Sequence, residues 1–325
     1  MMTQIKTRFF QLGVIVCLIL AATFFTTALA DEFPTKPIQL INPFSAGGSH
    51  DAHARAFSGV AHEYFGVPVL AVIKAGGAGT IGTAYVAQSK PDGYTLAFVD
   101  QQAIIAKPML ENLPYNYQSF VAIGRINYSP EIICVRADSP WKDLRELVNW
   151  SKANPDKLVT GGIPGLGADE CTFMPIFLKE NIKVKYVPFQ GGGPAFQAFL
   201  AGDIDLSGFF PSVVGEYIKA GKVRALAVGS EERLSSWPDI PTIKEQGYDH
   251  SYAMFRAVFA PKGVPPERLE KLRTAFKETV MDKSFQSMVR RMGEDIQFMS
   301  GEDFEKFMPQ EAERIAYLAQ QIYGK

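Results

Sequence analysis

Four glycine-rich junctions in this chain have the composition of anion-binding helix starts, because each follows a short apolar run and precedes a helical pattern. They are Pro43 to Asp51, Gly76 to Gly79, Gly161 to Gly167 and Gln190 to Pro194. The first backbone N–H groups of a helix have no intrahelical partner, and the helix macrodipole adds roughly half a positive charge there. Glycine lets the main chain approach a bound carboxylate or phosphate closely. One such junction is usually only a turn, but four together predict a cleft that binds a small anion.

Parallel βαβ units are the elements that would position these junctions, since strand-length apolar runs alternate with helical patterns along most of the chain. The alternation predicts an α/β fold with two lobes, each a doubly wound, mainly parallel sheet, and a ligand cleft between them. It breaks at Val121 to Val135, where two strand-like runs have only Asn127 to Pro130 between them. We expect the chain to cross between lobes there. The predicted lobes are residues 31–127 plus 229–325 and residues 128–228, and the helices after Pro265 are expected to pack on the first lobe.

The first thirty residues have the anatomy of a cleaved signal peptide. Lys6 and Arg8 precede an apolar stretch from Phe9 to about Phe25, and Ala28 and Ala30 supply the small-x-small pattern before a cleavage point after Ala30. We therefore expect export. The alternative is a retained membrane anchor, although the apolar core is barely long enough to span a bilayer.

Charge and cysteine content exclude several classes of protein. Without Lys6 and Arg8 the chain has 33 − 2 = 31 basic and 34 acidic residues, a net charge of −3. It therefore gains no general attraction to nucleic acid or anionic lipid. Cys134 and Cys171 are too few for a disulfide scaffold. They could pair, but two separate buried thiols are favoured because Cys134 lies in an apolar run.

Two motifs suggest enzymes but lack the context that the chemistry requires. Gly77 to Gly82 satisfies G-x-G-x-x-G, yet it follows the second strand of its lobe in an exported chain, which argues against a nicotinamide enzyme. Ser49, His50 and Asp51 are the residue types of a hydrolase triad, but adjacent residues at a helix start point in different directions. His50 and His53 have no second cluster of metal ligands nearby, so helix-start or surface roles are favoured. We predict no catalytic residue, no metal and no cofactor.

The order and spacing of a series of short motifs resemble the tripartite tricarboxylate transporter substrate-binding receptors, the TctC or Bug family of periplasmic solute receptors. The resemblance covers nearly all of the chain after residue 30. Its motifs are Pro34 to Ile38, Pro43 to Gly48 with Asp51 and Arg55, Gly76 to Gly82, Pro91 to Leu96, Val187 to Gly193, Ala201 to Asp205, Ala220 to Val228, Pro238 to Thr242 and Ala260 to Pro265.

The resemblance implies a type II periplasmic-binding-protein fold whose lobes close over a carboxylate-bearing solute. It implies first-lobe contacts from Phe44, Ser45, Ala46, Gly48, Ser49 and Asp51, and Gly79 is expected to join them from the neighbouring glycine junction. It implies second-lobe contacts from Gly162, Ile163, Gly165, Gly167, Ala168, Gln190 and Gly191, with Asp205 nearby.

Two features separate this chain from the common pattern of that family. Where many members have small hydroxyl residues and a histidine, it has Ile163, Ala168, Asp169 and Cys171, which leave a more apolar second-lobe segment. Phe255-Arg256 resembles a pair in citrate-type receptors. The Arg256 guanidinium could bind a second ligand carboxylate bidentately, or it could form a surface or interlobe ion pair.

The function implied by the resemblance is capture of a small carboxylate by lobe closure and its delivery to the membrane subunits of a tripartite tricarboxylate-type transporter. The receptor is expected to be monomeric, periplasmic and without a nucleic-acid partner. A tricarboxylate, a dicarboxylate and an aromatic acid all remain open as ligands, since Phe44, Phe189 and Phe210 could line an aromatic site. Two alternatives are a receptor that signals to a sensor protein and an exported enzyme.

Overall fold

Two mixed β-sheets form the framework of the chain. The computed structural model describes residues 32–324, so the predicted signal peptide and its cleavage after Ala30 lie outside the described residues. The strands are β1 (Ile38–Asn42), β2 (Val69–Ile73), β3 (Thr95–Val99), β4 (Phe120–Ser129), β5 (Ile132–Arg136), β6 (Val159–Gly162), β7 (Lys185–Pro188), β8 (Leu206–Phe209), β9 (Val223–Val228), β10 (Met254–Pro261) and β11 (Met299–Ser300).

Apart from the additional edge strand β11, the two sheets share one topology. The first has the order β11-β4-β10-β3-β1-β2 and the second the order β7-β6-β8-β5-β9. In the first sheet β1 runs parallel to β2 and β3, and in the second β6 runs parallel to β7 and β8. Strands β10 and β5 follow the two crossings between the sheets, and each pairs antiparallel with both of its neighbours. Each sheet is therefore mixed rather than mainly parallel, because the strand that follows a crossing between the sheets runs antiparallel to its neighbours.

The strand break predicted at Asn127 to Pro130 is wrong. Strand β4 continues to Ser129, which pairs with Met254, and only Pro130 and Glu131 separate it from β5. Asn127 can lie in a buried strand because its side chain is hydrogen-bonded inside the protein. The first sheet takes its strands from residues 38–129 and 254–300, and the second from residues 132–228. The exact lobe boundaries stay a prediction.

Helices flank both sheets. They are α1 (Ser49–Phe65), α2 (Thr80–Ala87), α3 (Lys107–Leu110), α4 (Leu144–Ala153), α5 (Ala168–Lys179), α6 (Gly192–Ala201), α7 (Pro211–Lys219), α8 (Pro266–Met281), α9 (Lys283–Arg291) and α10 (Gly301–Tyr323). A π-helical turn over Gln102–Ala106 leads into α3, and 3₁₀ turns cover Gly77–Gly79 and Tyr117–Ser119. None of the helices within residues 32–324 combines the length and the apolar character needed to span a bilayer.

The last three helices pack on the first lobe, as predicted. Helices α8 and α9 lie against α1, and α10 lies against β4. Side-chain caps define two of their starts, because Asp282 accepts N–H bonds at the start of α9 and Ser300 accepts one at the start of α10. Helix α10 also contacts α5 of the second lobe. The end of the chain therefore connects the lobes as well as covering the first.

The second sheet has a separate apolar core on each face. Successive residues of β5 alternate between them, as the two-residue period of a strand requires. Ile133 and Val135 join a cluster with helices α4 and α5, whereas Ile132 and Cys134 join a cluster with α6. Cys134 and Cys171 are both buried and free, in line with two separate thiols.

Candidate functional site

A small cavity of about 40 Å³ lies between the two lobes, where several helix starts meet. The first lobe lines it with Phe44, Gly48, Ser49, His50, Asp100, Gln102 and Met254. The second lobe lines it with Gly162, Ile163, Ala168, Asp169, Gly192, Ala195, Ser207, Gly208, Phe209, Phe210 and Val213, and Glu131 lines it from the crossing between β4 and β5. Two larger open depressions, of about 640 and 610 Å³, contain none of the predicted site residues. The smaller cavity, which is lined by predicted site residues, is therefore the candidate ligand site.

The loop before α1 is held at the cavity by two side chains, one at the end of β1 and one in the first turn of α1. Asn42, the last residue of β1, accepts a hydrogen bond from the Phe44 N–H at 3.1 Å. Asp51 Oδ2 accepts one from the Gly47 N–H at 3.0 Å. Gly47 has a φ of 78°, which favours glycine, and Gly48 begins the helix without a side-chain cap. The leading N–H groups of α1 are thus not covered by a capping side chain.

The glycines of Gln190 to Gly193 let the two lobes touch main chain to main chain. A Cβ at Gly193 would overlap the carbonyl oxygen of Ala46, and a Cβ at Gly191 would lie 2.9 Å from the Ser45 nitrogen. Ser45 Oγ donates to the Gln190 carbonyl at 3.3 Å, and the Ala78 N–H donates to Gln190 Oε1 at 3.3 Å. These glycines are needed for contact between the lobes. From the sequence alone they were expected only to bind an anion.

A second contact between the lobes involves the loop from Ile163 to Leu166. Gln102 Nε2 donates to the carbonyls of Ile163 and Gly165 at 3.2 and 3.3 Å. Glu170 accepts N–H bonds from Gly165 at 3.1 Å and Leu166 at 2.8 Å. Tyr323, at the end of α10, donates its hydroxyl to Glu170 at 2.6 Å. The described conformation is therefore a closed one in which first-lobe groups bind a second-lobe loop.

Two buried acids form the acidic wall of the cavity, a name used below for Glu131 and Asp169. Asp169 accepts the Ile163 N–H at 3.1 Å and the Tyr186 hydroxyl at 2.8 Å. Burial, followed by the neighbouring Glu170, raises the pKa of Asp169 to about 8. Burial, followed by Asp169, raises the pKa of Glu131 well above its usual range. Among the described residues that line the cavity there is no lysine or arginine.

His50 lies on the first-lobe side of the cavity, between aromatic rings and an acid. Its ring centroid is 4.4 Å from that of Phe44, and its Nε2 is 3.5 Å from Asp100 Oδ2. Burial, followed by the charge of Arg256, lowers the pKa of His50 well below its usual value, so the ring is neutral. Burial also raises the pKa of Asp100 to about 7. A surface role for His50 and His53 is wrong, because both are buried.

Arg256 lies beneath the start of α1 and does not line the cavity. Its guanidinium pairs with Glu294, with 2.6 Å between Nη1 and Oε2, and also donates to Ser49 Oγ. Burial opposes ionisation of Glu294, but Arg256 holds the pKa of that carboxyl at about 2. Of the two roles left open for Arg256, the structure shows an ion pair, and it is fully buried rather than at the surface. Arg256 reaches the cavity through two lining residues, Ser49 and Phe210, and the Phe210 ring centroid is 4.5 Å from its Cζ.

The predicted site residues fall into two groups. Those that line the cavity are Phe44, Gly48, Ser49, Gly162, Ile163 and Ala168. Those that do not line it are Ser45, Ala46, Asp51, Gly79, Gly165, Gly167, Gln190, Gly191, Asp205 and Arg256. Asp205, for example, accepts the Val159 N–H at 3.0 Å and faces Arg136.

Several lining residues were not predicted. The main ones are His50, Asp100, Gln102, Glu131, Asp169, Gly192, Ser207, Gly208 and Phe209. A signal existed for some of them, because Asp100 directly follows β3 and Phe209 ends β8, and ligands lie beyond the carboxyl ends of strands in such sheets. Glu131 had no such signal, since it stands in a two-residue crossing.

Comparison with known proteins gives a consistent family. The family model of the tripartite tricarboxylate transporter family receptor matches residues 54–323. A UPF0065 protein of Bordetella pertussis is 30% identical over 310 residues, which cover 94% of this chain and 95% of that protein.

Solved structures share the architecture. The periplasmic binding protein BugD superposes with a TM-score of 0.83 at 28% identity, covering 89% of this chain and 98% of that one. MatC from Rhodopseudomonas palustris, solved with bound malate, superposes with a TM-score of 0.82 at 23% identity and covers 88% of this chain and 99% of that one. The likeness to MatC concerns the fold alone.

Proposed function

Because this chain belongs to the tripartite tricarboxylate transporter receptor family, we propose that it is a periplasmic receptor that captures a small organic carboxylate between its lobes and delivers it to the membrane subunits of a transporter. One observation carries the proposal. The uncapped starts of α1 and α6, at Gly48 and Gly192, line the same cavity from opposite lobes. Helix starts favour anions through their free N–H groups and their dipoles.

Lobe closure supplies the affinity in this proposal. A ligand that contacts both helix starts does so only when the lobes approach, so binding favours the closed state. The cavity of about 40 Å³ corresponds to a few water molecules. A carboxylic acid of four or more carbon atoms therefore requires a slightly wider separation of the lobes than the one described. Phe44, Phe209 and Phe210 line the cavity and Phe189 does not, so an aromatic ligand would meet those three phenylalanines.

The contacts of Ser49 support binding rather than catalysis. Its Oγ receives hydrogen bonds from Ser212 at 2.9 Å and from the Arg256 guanidinium. A serine nucleophile needs a neighbouring base to take its proton. The hydroxyl that the triad hypothesis requires is instead part of the contact between the lobes, and the receptor performs no reaction on its ligand.

Ligand binding is tested by the thermal unfolding temperature of the mature protein, purified without denaturation, with a panel of aliphatic and aromatic mono-, di- and tricarboxylates. A saturable upward shift with one member is expected, since a ligand that binds only the folded state stabilises it. Gly192→Val, which places a side chain in the cavity, should abolish the shift. Gly59→Ala should retain it, because a Cβ at Gly59 has no neighbour within 4 Å. A panel with no effect on the unmodified protein would contradict the proposal.

Delivery to a membrane transporter needs a separate test. Cells that contain the transporter's membrane subunits should accumulate the radiolabelled ligand only when this receptor is also present. The Gly192→Val variant should not restore uptake. Equal uptake with and without the receptor would argue against delivery while leaving ligand binding intact.

A further inference from the structure

The acidic wall of the cavity restricts the chemistry of the ligand. We infer that the ligand carries a protonated amine in addition to its carboxylate, and that Glu131 is the residue that binds this amine. The inference rests on the proposed function, because it concerns the same cavity. It replaces the range of di- and tricarboxylates with amino-acid-like zwitterions.

Glu131 has an acceptor atom that the protein leaves unsatisfied. Its side chain lines the cavity with 5% of the residue exposed, and its Oε2 is among the buried side-chain atoms without a hydrogen-bond partner in the described part of the chain. Asp169 differs, since Ile163 and Tyr186 donate to its two oxygens. Buried polar atoms in native proteins are nearly always hydrogen-bonded. Glu131 Oε2 is thus the acceptor on this wall for a donor group of the ligand.

Two glycines make room for the acids at the cavity. A Cβ at Gly208 would overlap Glu131 Oε2, and a Cβ at Gly162 would overlap the carboxylate of Asp169. Both glycines line the cavity themselves, and neither has a positive φ. Their role is to admit these side chains rather than to form a turn. The wall is therefore a built feature of the second lobe.

The acids around the cavity have no cation among the described lining residues to pair with. Asp100, Glu131 and Asp169 line it, and the guanidinium of Arg256, which lies behind the lining, is paired with Glu294. A second ligand carboxylate beside these acids would be buried with no cation in the described lining to balance its charge, which costs binding free energy. An ammonium group would lower the raised pKa of Glu131, favour its ionised form and make a charge-assisted hydrogen bond to it. The ligand carboxylate belongs at the starts of α1 and α6, and the amine at the acidic wall.

The position of Asp169 on α5 supports the same placement of the ligand, with its carboxylate at α1 and α6 and its amine at the acidic wall. Asp169 stands in the first turn of α5 and accepts the Ile163 N–H in front of it. Its carboxyl group therefore already stands at the start of that helix, the position that a ligand anion would otherwise take. Helices α1 and α6 have no acidic side chain lining the cavity from their first turns. A ligand anion is consequently favoured at those two helices and disfavoured at α5.

The test uses matched ligands that differ at one end only. Isothermal titration of the mature receptor compares succinate, succinamate and 4-aminobutyrate, and then glutarate with 5-aminopentanoate and terephthalate with 4-(aminomethyl)benzoate. In the pair whose length fits, the amine should bind at least about tenfold more tightly than the dicarboxylate, as expected for a hydrogen bond to a charged group. Tighter binding of the dicarboxylate in every pair that binds would overturn the inference, and tightest binding of succinamate would replace the amine with a neutral amide and overturn it too.

Variants at the acidic wall give an independent answer. Glu131→Gln should weaken binding of the preferred amine at least about tenfold, because an amide cannot ionise, and should thereby reduce or remove the preference over its dicarboxylate partner. Glu216→Gln makes the same change of charge on the surface of α7 and should alter neither affinity. If Glu131→Gln does not fold, Asp169→Asn should reduce the same preference. Unchanged preference in a folded Glu131→Gln or Asp169→Asn protein would overturn the inference.

The outcomes separate the two proposals. If no mono-, di- or tricarboxylate binds, the proposed function itself fails. If carboxylates bind but dicarboxylates are preferred, only the amine inference fails. Mass spectrometry of a small molecule released from natively purified receptor adds a direct check, since an acid that contains an amine nitrogen is expected.

Discussion

Two buried glutamates on either side of the cavity, Glu294 and Glu131, have opposite charge surroundings. Glu294 pairs with Arg256 and accepts a hydrogen bond from Asn127, and its pKa is about 2. Glu131 has an unsatisfied oxygen and Asp169 as a neighbour, and its pKa is raised. The first lobe thus uses its buried charges to hold α1 in place. The second lobe leaves a buried acidic group with hydrogen-bonding capacity available to a ligand.

Removing the charge of Glu294 in the first lobe should have the largest effect on stability. Glu294→Gln leaves the fully buried Arg256 without its anion, so the free energy of unfolding should fall by about 3–5 kcal/mol. The matched Glu131→Gln variant should stay within about 1 kcal/mol of the unmodified protein, because no cation loses its partner. Urea unfolding followed by circular dichroism measures both. Equal losses in the two variants would contradict the contrast.

A substitution that keeps the two lobes apart should weaken ligand binding without unfolding the protein. In Gly193→Ala the new Cβ would overlap the Ala46 carbonyl oxygen in the closed form. The resulting strain of about 1–3 kcal/mol should weaken ligand binding roughly tenfold to hundredfold. The unfolding temperature of the unliganded variant should not fall, since alanine is the better helix former. Isothermal titration measures the affinity, and Gly59→Ala, with no neighbour within 4 Å of its Cβ, should bind normally.

The raised pKa of Asp169 in the second lobe should make the stability of the protein depend on pH. Unfolded aspartate titrates near pH 4, whereas the pKa of Asp169 in the folded protein is about 8. As the pH rises from about 4 to 8 the unfolded chain releases this proton first, so the folded state loses stability across that window. Asp169→Asn removes this loss, so it should gain on the order of 2 kcal/mol relative to the unmodified protein between pH 4 and pH 8.

Chemical unfolding of the unliganded proteins at both pH values measures that gain. The comparison is made as a difference of differences, so the cost of changing the hydrogen bonds of Asp169 cancels. The Glu216→Gln variant, altered at an exposed acid, should show no such gain. A gap between Asp169→Asn and the unmodified protein that is the same at pH 4 and pH 8 would show that Asp169 ionises normally.

The smallest effect is expected at the contact between α10 and the second lobe. Tyr323→Phe removes the hydroxyl that donates to Glu170 and accepts from the Gly165 N–H. The closed form should lose about 1 kcal/mol, and ligand affinity should fall severalfold. Tyr317→Phe on the same helix, at a residue that is 64% exposed, is the control and should bind normally. Equal affinities for both variants would show that α10 does not contribute to closure.

Sequence patterns were more informative about the elements than about the cavity. The alternation of strand-length apolar runs with helical patterns predicted an α/β chain whose last helices pack on the first lobe, and the structure has both features. The site prediction reached Phe44 to Ser49 and Gly162 to Ala168 through the resemblance. It did not include Glu131. That residue lies in the connection between β4 and β5 and meets Gly208, which is distant in the chain, so no local sequence pattern indicates its place in the cavity.

Arg256 illustrates the same limit from the other direction. Its residue type and its neighbour Phe255 suggested a second ligand carboxylate, but the charge that it pairs with comes from Glu294 within the chain. The two residues are 38 positions apart. A guanidinium binds either carboxylate with the same chemistry, so only their placement in space distinguishes a ligand site from a buried ion pair.

The α/β elements, the family and the glycine-rich helix starts could be predicted from the chain of amino acids, because these follow from local periodicity, from backbone freedom at glycine and from the order of motifs. Folding in three dimensions was needed to show which of those glycines bring the lobes into contact, which carboxylates are neutralised and which remain for a ligand. Burial and electrostatic pairing act between residues distant in the chain, and no local pattern records them. The Glu131 carboxyl becomes an acceptor for a ligand only because folding removes it from water and commits Arg256 to Glu294.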